Sequence, residues 1–224
     1  IMGTVNFLEN IRLINKKIIF IYSSSDKAYG ELKNRKEYKE GDTLDSTYPY
    51  DVSKSSSDLI CQSYSKTYSM KVGIIRCGNI YGPGDFNLKR LIPEVILSTI
   101  ENKNFIVRSN GRSTRDYVYV EDAVSAYIKV FNKLKNSKDE LKIYNVSSKF
   151  NYSVLAIINM ILKKMGNLRL KPIILNNSKQ ELNFQRLNYS KIQRELKWKP
   201  TTDIAVGIKK TIDWYIKFYK FLKR

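Results

Sequence analysis

The sequence contains no histidine, and this absence removes several kinds of active site. Serine–histidine–aspartate triads, cysteine–histidine pairs and HExxH zinc sites all need an imidazole. The two cysteines, Cys61 and Cys77, lie in apolar runs without CxxC spacing, which argues against a zinc site or a disulfide framework and predicts two small core residues. We therefore expect no metal centre, and any catalysis has to rely on Tyr, Lys, Asp, Glu, Ser or a cofactor.

Long apolar stretches are also missing. The longest ones, such as 154–162, are too short to span a bilayer, and the N-terminus shows no signal peptide. These absences predict a cytoplasmic protein without a membrane partner. We find no internal repeat and no linker rich in Gly, Pro or Ser, so one interleaved unit is expected rather than two separable domains.

Acidic residues are scarce beside basic ones. The chain of 224 residues carries 21 Asp and Glu against 40 Lys and Arg, a formal net charge of +19. Clustered cations would indicate a nucleic-acid partner, but these are scattered, as in 33–36 and 217–224. We interpret the charge as a generic basic surface, compatible with attraction of an anionic substrate, and expect no nucleic-acid partner.

The overall composition is that of a folded globular protein, with 42% hydrophobic and 27% charged residues. Short apolar runs alternate with segments of helical periodicity, which predicts an α/β fold. The predicted strands are 17–22, 71–77, 105–107 and 143–146. The predicted helices are 50–68, 88–102, 122–135, 153–165 and 204–222. The predicted turns are 78–84 and 111–116. In open α/β sheets, ligands bind at the carboxyl ends of strands.

Tyr50 and Lys54 lie four residues apart, so on a helix their side chains share one face. A nearby ammonium favours the phenolate and would lower the tyrosine pKa from about 10 toward working pH, which suits a general base. In a chain with 16 tyrosines the spacing alone also fits an ordinary helix face. The polar strand end at 23–27, with three serines, Asp26 and Lys27, favours the catalytic interpretation over a polar loop.

Four motifs occur in a recognisable order. They are SSSDKAYG at 23–30, YPYDVSK at 48–54, RCGNIYGPG at 76–84 and RDYVYVED at 115–122. In this order they resemble the extended short-chain dehydrogenase/reductase family of nucleotide-sugar epimerases and 4,6-dehydratases, and the likeness continues through 196–200 and 211–215. The resemblance implies the C-terminal part of a Rossmann-type doubly wound parallel sheet with a smaller substrate-binding lobe. It also implies NAD as cofactor, a nucleotide-diphosphate sugar as substrate, and a homodimer paired through helices that include the Tyr50 helix.

The resemblance also implies a role for each catalytic candidate. Tyr50 is the base, Lys54 tunes it and bonds the nicotinamide ribose, and Ser25 orients the sugar 4-hydroxyl. Asp26 matches the acid that protonates the departing 6-hydroxyl in 4,6-dehydratases and that simple 4-epimerases usually lack. Lys27 stands where many dehydratases have glutamate, and Ser-Asp-Lys resembles the CDP-glucose 4,6-dehydratases. A solvated loop cation is the alternative interpretation of Lys27.

Further residues match the positions that hold cofactor and substrate. For the cofactor they are Ser23, Tyr50 and Lys54. For the nucleotide sugar they are Ser25, Asn79, Arg90, Leu91 and Arg115. The guanidinium group of arginine can donate two parallel hydrogen bonds to the oxygens of a phosphate, which makes Arg90 and Arg115 suitable for this role. Two structural alternatives stay open. Under these alternatives Asn79 would only shape the turn, and Arg90 would be a surface charge.

The sequence departs from the family pattern in two places along its second half. Ser147, Ser148 and Lys149 stand where the family has a Gly-rich loop. Asn183 lies in 181–185, where the family often supplies a phosphate-binding arginine. The choice between CDP and TDP therefore stays open.

A third departure concerns the start of the chain. Residues 1–9 resemble the helix that follows the fourth strand of the family, and no GxxGxxG or GxGxxG motif occurs. We therefore expect an N-terminal truncation that removes the Gly-rich first half of the sheet, on the order of 100 residues. Residues 1–82 would then be the remainder of the NAD-binding domain with the catalytic residues. Residues 83–224 would mainly form the substrate lobe, from which the strand at 143–147 returns to the sheet.

The function predicted from these residues is an NAD-dependent nucleotide-sugar 4,6-dehydratase that converts NDP-glucose to NDP-4-keto-6-deoxyglucose. A 4-epimerase of the same family is the near alternative. A nonenzymatic remnant that kept the second half of the fold is the other.

Overall fold

Strands and helices alternate along the chain in the computed structural model, which describes residues 1–31, 37–177 and 184–222. The strands are β1 (Phe20–Ser25), β2 (Val72–Cys77), β3 (Asn79–Tyr81), β4 (Ile106–Val107), β5 (Thr114–Tyr119), β6 (Leu141–Val146), β7 (Asn151–Ser153) and β8 (Ile173–Ile174). The helices are α1 (Met2–Ile14), α2 (Pro49–Tyr68), α3 (Leu91–Ile100), α4 (Val120–Lys135), α5 (Val154–Lys164), α6 (Ser190–Leu196) and α7 (Ile204–Leu222). A 3₁₀ helix, Asp26–Tyr29, directly follows β1. The α/β class predicted from the sequence is confirmed.

The main sheet is parallel, with the strand order β1-β2-β6. Its central strand β2 is buried along its whole length, which explains why the sequence there is nearly continuously apolar. Val72 and Ile74 face the core under α1 and α2, whereas Ile75 and Cys77 face the core under α4. Helices on both faces are typical of a doubly wound sheet. Because Ser25 pairs with Cys77, β1 and β2 end at the same level.

A second set of elements begins where the chain leaves the carboxyl end of β2 and continues into β3. It contains the sheet β3-β5-β7, the short pair β4-β8, and a core formed by α3, α5 and α7. Helix α7 approaches this sheet very closely at Gly207, where an added Cβ would meet the Tyr81 hydroxyl at 2.2 Å. The lack of a side chain at Gly207 therefore lets α7 pack directly against the side chains of Tyr81 and Tyr119.

Several predicted boundaries differ from the observed ones. Strand β1 starts at Phe20 and includes the three serines, and its first residues are only half-buried rather than buried on both faces. The turn predicted at 78–84 contains strand β3, and the turn predicted at 111–116 gives way to β5 at Thr114. Helix α3 starts at Leu91, which leaves Arg90 as its extended N-cap. The apolar pattern did not predict these strand ends, because their residues are polar. The backbone of these residues is paired in a sheet, while their side chains face a cavity.

Both cysteines are buried free thiols, as expected for small core residues. Within 1–31, 37–177 and 184–222, no helix is long and apolar enough to cross a membrane.

The division of the chain at residue 82 stays a prediction. Strand β6 pairs with β2, and helix α4 packs against both of these strands.

Candidate active site

A cavity of about 690 Å³ opens where β1 and β2 end. Strands β4 and β5 and the start of α3 contribute its other walls. The residues singled out from the sequence that line it are Ser23, Ser25, Asp26, Lys27, Tyr50, Lys54, Asn79, Arg90, Leu91 and Arg115. The structure therefore brings every one of these predicted site residues to one cavity. Their individual roles stay predictions.

Tyr50 and Lys54 reach the cavity from the first turns of α2. The helix begins at Pro49, whose fixed φ suits the first helical position. The Lys54 ammonium donates a hydrogen bond to the Ser23 carbonyl at 2.9 Å and lies 6.0 Å from the centre of the Tyr50 ring. Tyr50 is 56% exposed. The common helix face predicted for the pair is thus directed at the end of β1.

The expected lowering of the Tyr50 pKa is not found. Burial raises this pKa above its ordinary value, and hydrogen bonding from Ser25 opposes only part of the effect. Burial also lowers the pKa of Lys54. Spacing in the sequence shows that two side chains share a face, but it does not show how far their burial works against ionisation.

Ser25 and Asp26 form the floor of the cavity at the end of β1. The Ser25 hydroxyl donates to Asp26 Oδ1 at 3.0 Å and accepts from the Lys27 amide at 3.3 Å, so it caps the 3₁₀ helix. Asp26 is only 3% exposed, and its Oδ2 is buried without a hydrogen-bond partner in the described part of the chain. Burial raises the pKa of Asp26, and the charge of Lys27 offsets part of this. A carboxyl with a raised pKa can serve as a proton donor.

Lys27 is half-buried and lines the same cavity. Burial raises the pKa of both Asp26 and Asp51, and the charge of Lys27 offsets part of the rise in each. The structure therefore places Lys27 near two carboxyl groups, that of Asp26, which lines the cavity, and that of Asp51, which does not. A lysine that faced only solvent would not have these neighbours.

Three of the candidates for phosphate and sugar contacts have distinct environments. Arg115 is 8% exposed, donates to the Thr114 carbonyl at 2.9 Å, and lowers the pKa of Asp26 through its charge. Arg90 is more exposed and pairs with Asp85 at 3.2 Å. Asn79 has a buried Nδ2 without a partner among residues 1–31, 37–177 and 184–222. That orphaned donor is typical of a site that a ligand completes.

Asp116 was not singled out from the sequence, although it follows Arg115 in the same motif. It is fully buried and accepts hydrogen bonds from the Ser148 amide at 2.7 Å and the Ser148 hydroxyl at 2.8 Å, as well as from the Ser147 hydroxyl. Burial raises the pKa of Asp116 to about 6. An added Cβ at Gly78 would meet the Asp116 carbonyl at 2.8 Å, so β5 packs directly on the β2–β3 connection.

These contacts also explain one departure from the family pattern. The two serines that replace glycines after β6 supply the hydroxyls that surround Asp116. The other departure, Asn183, lies outside the described residues. Arg108 and Lys89 also line the cavity. Arg108 directly follows β4, so the rule that ligands bind at strand ends would have indicated it.

Comparisons with known proteins agree with the motif order. A family model described as GDP-mannose 4,6 dehydratase matches residues 1–211. The chain is 28% identical over 231 residues to a probable dTDP-glucose 4,6-dehydratase of Sinorhizobium fredii, covering 96% of this chain and 64% of that protein. It is 30% identical over 217 residues to the dTDP-glucose 4,6-dehydratase of Escherichia coli, covering 90% of this chain and 59% of that protein. The chain thus spans less than two thirds of the length of these relatives.

Solved structures show the same relationship. The dTDP-glucose 4,6-dehydratase of Bacillus anthracis in complex with NAD superposes with a TM-score of 0.90 at 27% identity, covering 100% of this chain and 69% of that one. The UDP-glucuronic acid 4-epimerase of Bacillus cereus, in complex with UDP-glucuronic acid and NAD, gives a TM-score of 0.88 at 25% identity, covering 98% and 68%. The fold, the motif order and the family match agree, and the chain belongs to the GDP-mannose 4,6 dehydratase family, among the nucleotide-sugar epimerases and dehydratases of the extended short-chain dehydrogenase/reductase class.

Proposed function

We propose that this chain carries the catalytic and nucleotide-sugar-binding part of an NAD-dependent 4,6-dehydratase, which converts NDP-glucose to NDP-4-keto-6-deoxyglucose with CDP or TDP as the nucleotide. The observation that carries the proposal is Asp26, a buried carboxyl with a raised pKa and an unpartnered oxygen at the cavity. Removal of water from a sugar needs an acid at the leaving hydroxyl. The curated relatives described above support the dehydratase branch.

Residues of β1 and α2 that meet at the end of β1 offer the donors and the aromatic ring that the nicotinamide end of NAD requires. An ammonium has three donors, and the Lys54 ammonium uses one of them for the Ser23 carbonyl, which leaves donors for ribose hydroxyls. The partly exposed Tyr50 ring lies beside it. We propose that Ser23, Tyr50 and Lys54 hold this end of the cofactor, which when bound supplies the hydride acceptor for sugar C4. Both solved relatives described above were crystallised with NAD.

Tyr50 takes the proton of the sugar 4-hydroxyl in this proposal, while Ser25 orients that hydroxyl. Because burial raises the Tyr50 pKa, turnover should increase with pH until the phenol ionises. A ketone at C4 then acidifies the C5–H bond. A basic side chain of the cavity lining takes the C5 proton while Asp26 donates its proton to the 6-hydroxyl oxygen, so that the C6–O bond breaks and water leaves. Return of the hydride to C6 and of a proton to C5 would then give the 4-keto-6-deoxy sugar.

The nucleotide diphosphate is proposed to lie toward Arg115, Arg90 and Asn79. Two guanidinium groups that line one cavity provide paired donors for phosphate oxygens. The buried Asn79 amide, which has no partner in the described part of the chain, supplies a further donor. Binding of the diphosphate would replace the exposed Arg90–Asp85 pair, which by itself contributes little to stability.

A homodimer is proposed for the complete protein. Helices α1 and α2 pack side by side and expose Phe7, Leu13 and Leu59. A second copy that covered this face would bury these apolar side chains. Light scattering of the full-length protein measures the assembly, and a monomer at micromolar concentration would contradict it.

The dehydratase is tested by the mass of its product. Full-length protein is incubated separately with CDP-glucose and TDP-glucose, and we expect a product that has lost one water from one or both. Asp26→Asn should lower the dehydration rate by about 100-fold or more, because a carboxamide is too weak an acid to protonate the leaving hydroxyl. Asp51→Asn is the matched control, since Asp51 is also a buried carboxyl near Lys27 but does not line the cavity. An isomer of unchanged mass would show a 4-epimerase instead, and no product from either sugar would favour the nonenzymatic remnant.

A further inference from the structure

A buried ion pair joins helix α2 to strand β2 outside the lining of the cavity. Asp58 is 0% and Arg76 2% exposed. Arg76 Nε donates to Asp58 Oδ2 and Nη2 donates to Oδ1, both at 2.9 Å. Ser24 on β1 donates to Oδ2 at 2.7 Å, and Gln62 donates to Oδ1 at 2.8 Å. Each carboxylate oxygen therefore accepts two hydrogen bonds, which fills its usual capacity.

The opposite side of the Arg76 guanidinium is also occupied. Its Nη1 donates to the Tyr29 hydroxyl at 2.8 Å and to the Glu40 carbonyl at 3.0 Å. The Tyr29 hydroxyl in turn donates to Asn145 Oδ1 on β6 at 2.8 Å. The network thus reaches β1, the 3₁₀ helix, α2, β2 and β6, and it contacts all three strands of the main sheet next to the cavity.

Helical spacing connects this network to the candidate base. Asp58 lies four residues after Lys54 and eight after Tyr50, near the same face of α2. Consecutive serines of β1 meet that face, since the Ser24 hydroxyl binds Asp58 while the Ser23 carbonyl accepts from the Lys54 ammonium. The Ser24 contact is therefore immediately adjacent to the hydrogen bond that holds Lys54.

Apolar packing fixes the position of α2 only in part, because Cys61 and the half-buried Ile60 and Tyr64 are what this helix contributes to the core that it covers. Its buried residues are Asp51, Ser55, Ser57, Asp58, Cys61 and Ser65. Small side chains such as serine make few interlocking contacts, so this face constrains the roll and the axial position of α2 less than a large apolar face would. A bidentate guanidinium–carboxylate fork, in contrast, fixes both distance and direction.

We propose that the Asp58–Arg76 pair, together with Ser24, positions Tyr50 and Lys54 at the cavity by setting the roll and register of α2 on the sheet. Stability alone does not account for the pair, because replacing a buried ion pair with apolar groups of similar volume is often neutral or stabilising. Asp58 and Arg76 are positioning residues here, since neither lines the cavity. The kinetic part of the inference rests on the proposed function.

The first test removes both charges together. Asp58→Leu combined with Arg76→Met in the full-length protein leaves no unpaired buried charge, so we expect the melting temperature to stay within about 5 °C of the original. We expect kcat to fall by about tenfold or more while KM changes by less than about threefold, because a misplaced base slows the chemical step more than binding. A stable double variant with the original kcat would overturn the proposal.

The second test uses single hydroxyls in case the double variant does not fold. Ser24→Ala removes the contact from β1 to Asp58, and Ser65→Ala removes a buried hydroxyl at the far end of α2, where it donates to the Met70 carbonyl at 2.8 Å. We expect a loss of kcat of about threefold or more for Ser24→Ala alone, and recovery in Ser24→Thr, which keeps the hydroxyl. Equal effects of Ser24→Ala and Ser65→Ala would overturn the proposal.

A readout that needs no turnover separates this inference from the proposed function. NMR titration of the Lys54 amine reports its surroundings even if no substrate is converted. Burial lowers the pKa of Lys54 in the unsubstituted protein. If Ser24→Ala lets α2 move, Lys54 becomes less buried, and we expect its pKa to rise by about half a unit or more, whereas Ser65→Ala should leave it unchanged. Unchanged titration in both variants would contradict positioning. Absence of turnover in the unsubstituted protein would contradict only the proposed function.

Discussion

At the scale of single residues, the two buried acids at the site differ in what surrounds them. Asp26 has two cations near its carboxyl, Lys27 and Arg115, whereas Asp116 is surrounded by the hydroxyls and one amide of the two serines after β6. Burial raises the pKa of both. Because Asp26 lines the cavity and Asp116 does not, Asp26 is the one of these two acids whose proton can reach a substrate.

Tyr50→Phe is predicted to remove the base and leave the fold intact. Phenylalanine keeps the aromatic ring, so the packing of α2 is preserved. We expect turnover of the full-length protein to fall by about 100-fold or more, the scale of a lost general base. Tyr22→Phe is the control, because Lys54 also lies over the Tyr22 ring but Tyr22 does not line the cavity. Initial rates within about threefold of the original in Tyr50→Phe would contradict the assignment.

Much of the residue-level site could be predicted, because the motifs place Ser25, Asp26, Tyr50 and Lys54 at one strand end and one helix face. The direction of the Tyr50 pKa could not, since it depends on burial that no spacing reveals. Asp116 was missed for a related reason. Its importance comes from contacts with residues about thirty positions away along the chain, which a local pattern does not contain.

At the scale of elements, the site is held by connections between strand ends. Asp116 on β5 binds the loop after β6 and packs against Gly78 between β2 and β3. Burial raises its pKa, and the hydrogen bonds from Ser147 and Ser148 offset only part of that rise. Ionising this carboxyl therefore carries a desolvation cost, which reduces the stability of the fold only at pH values at which the group is ionised.

Asp116→Asn is predicted to change how stability depends on pH. The folded-state pKa of about 6 lies above the ordinary value of 3.8, so the folded state binds a proton more tightly than the unfolded chain. This group therefore stabilises the fold at low pH, and the contribution is lost as pH rises through about 6, a loss of about 2 kcal/mol between pH 4.5 and 7. Urea unfolding at the two pH values should show that Asp116→Asn lacks this loss.

The exposed Asp139 provides a control of opposite sign. Hydrogen bonding to Lys142 holds the pKa of Asp139 below its ordinary value, so its contribution is present above the unfolded pKa and is lost as pH falls. Asp139→Asn should therefore shift the pH dependence in the other direction, and only slightly, because the pair is exposed to solvent. An identical pH dependence in Asp116→Asn and the original chain would refute the effect of Asp116.

Element types were predictable where periodicity was strong, as for α2 and β2. The short strand β3 was not, because three residues between glycines look like a turn when their partner strand is unknown. Strand β1 extends through serines that pair with β2, and a parallel strand ending at a ligand site need not stay apolar.

At the scale of the whole molecule, the motif order was sufficient to predict the family. Four short segments kept their order across 23–122, and each lies at the end of a strand or the start of a helix in the structure. The nucleotide could not be predicted, since the departures at 147–149 and 181–185 removed the usual signals. The main sheet also has β1 at one edge among the described residues, with β2 as its hydrogen-bonded neighbour.

The 224 residues alone are predicted neither to hold NAD tightly nor to stay monodisperse. A dinucleotide pyrophosphate is normally held by backbone amides at a Gly-rich turn and a helix N-terminus, and neither GxxGxxG nor GxGxxG occurs in this sequence. Tyr50, Lys54 and Ser23 would reach only the nicotinamide end, so most of the binding free energy should be missing. The edge strand β1 and the exposed apolar residues Phe7 and Leu13 of α1 also favour pairing with another chain. Calorimetric titration with NAD, together with light scattering of the same sample, measures both properties. A monodisperse monomer that binds NAD with a Kd of about 1 μM would show that this part of the chain contains a complete cofactor site.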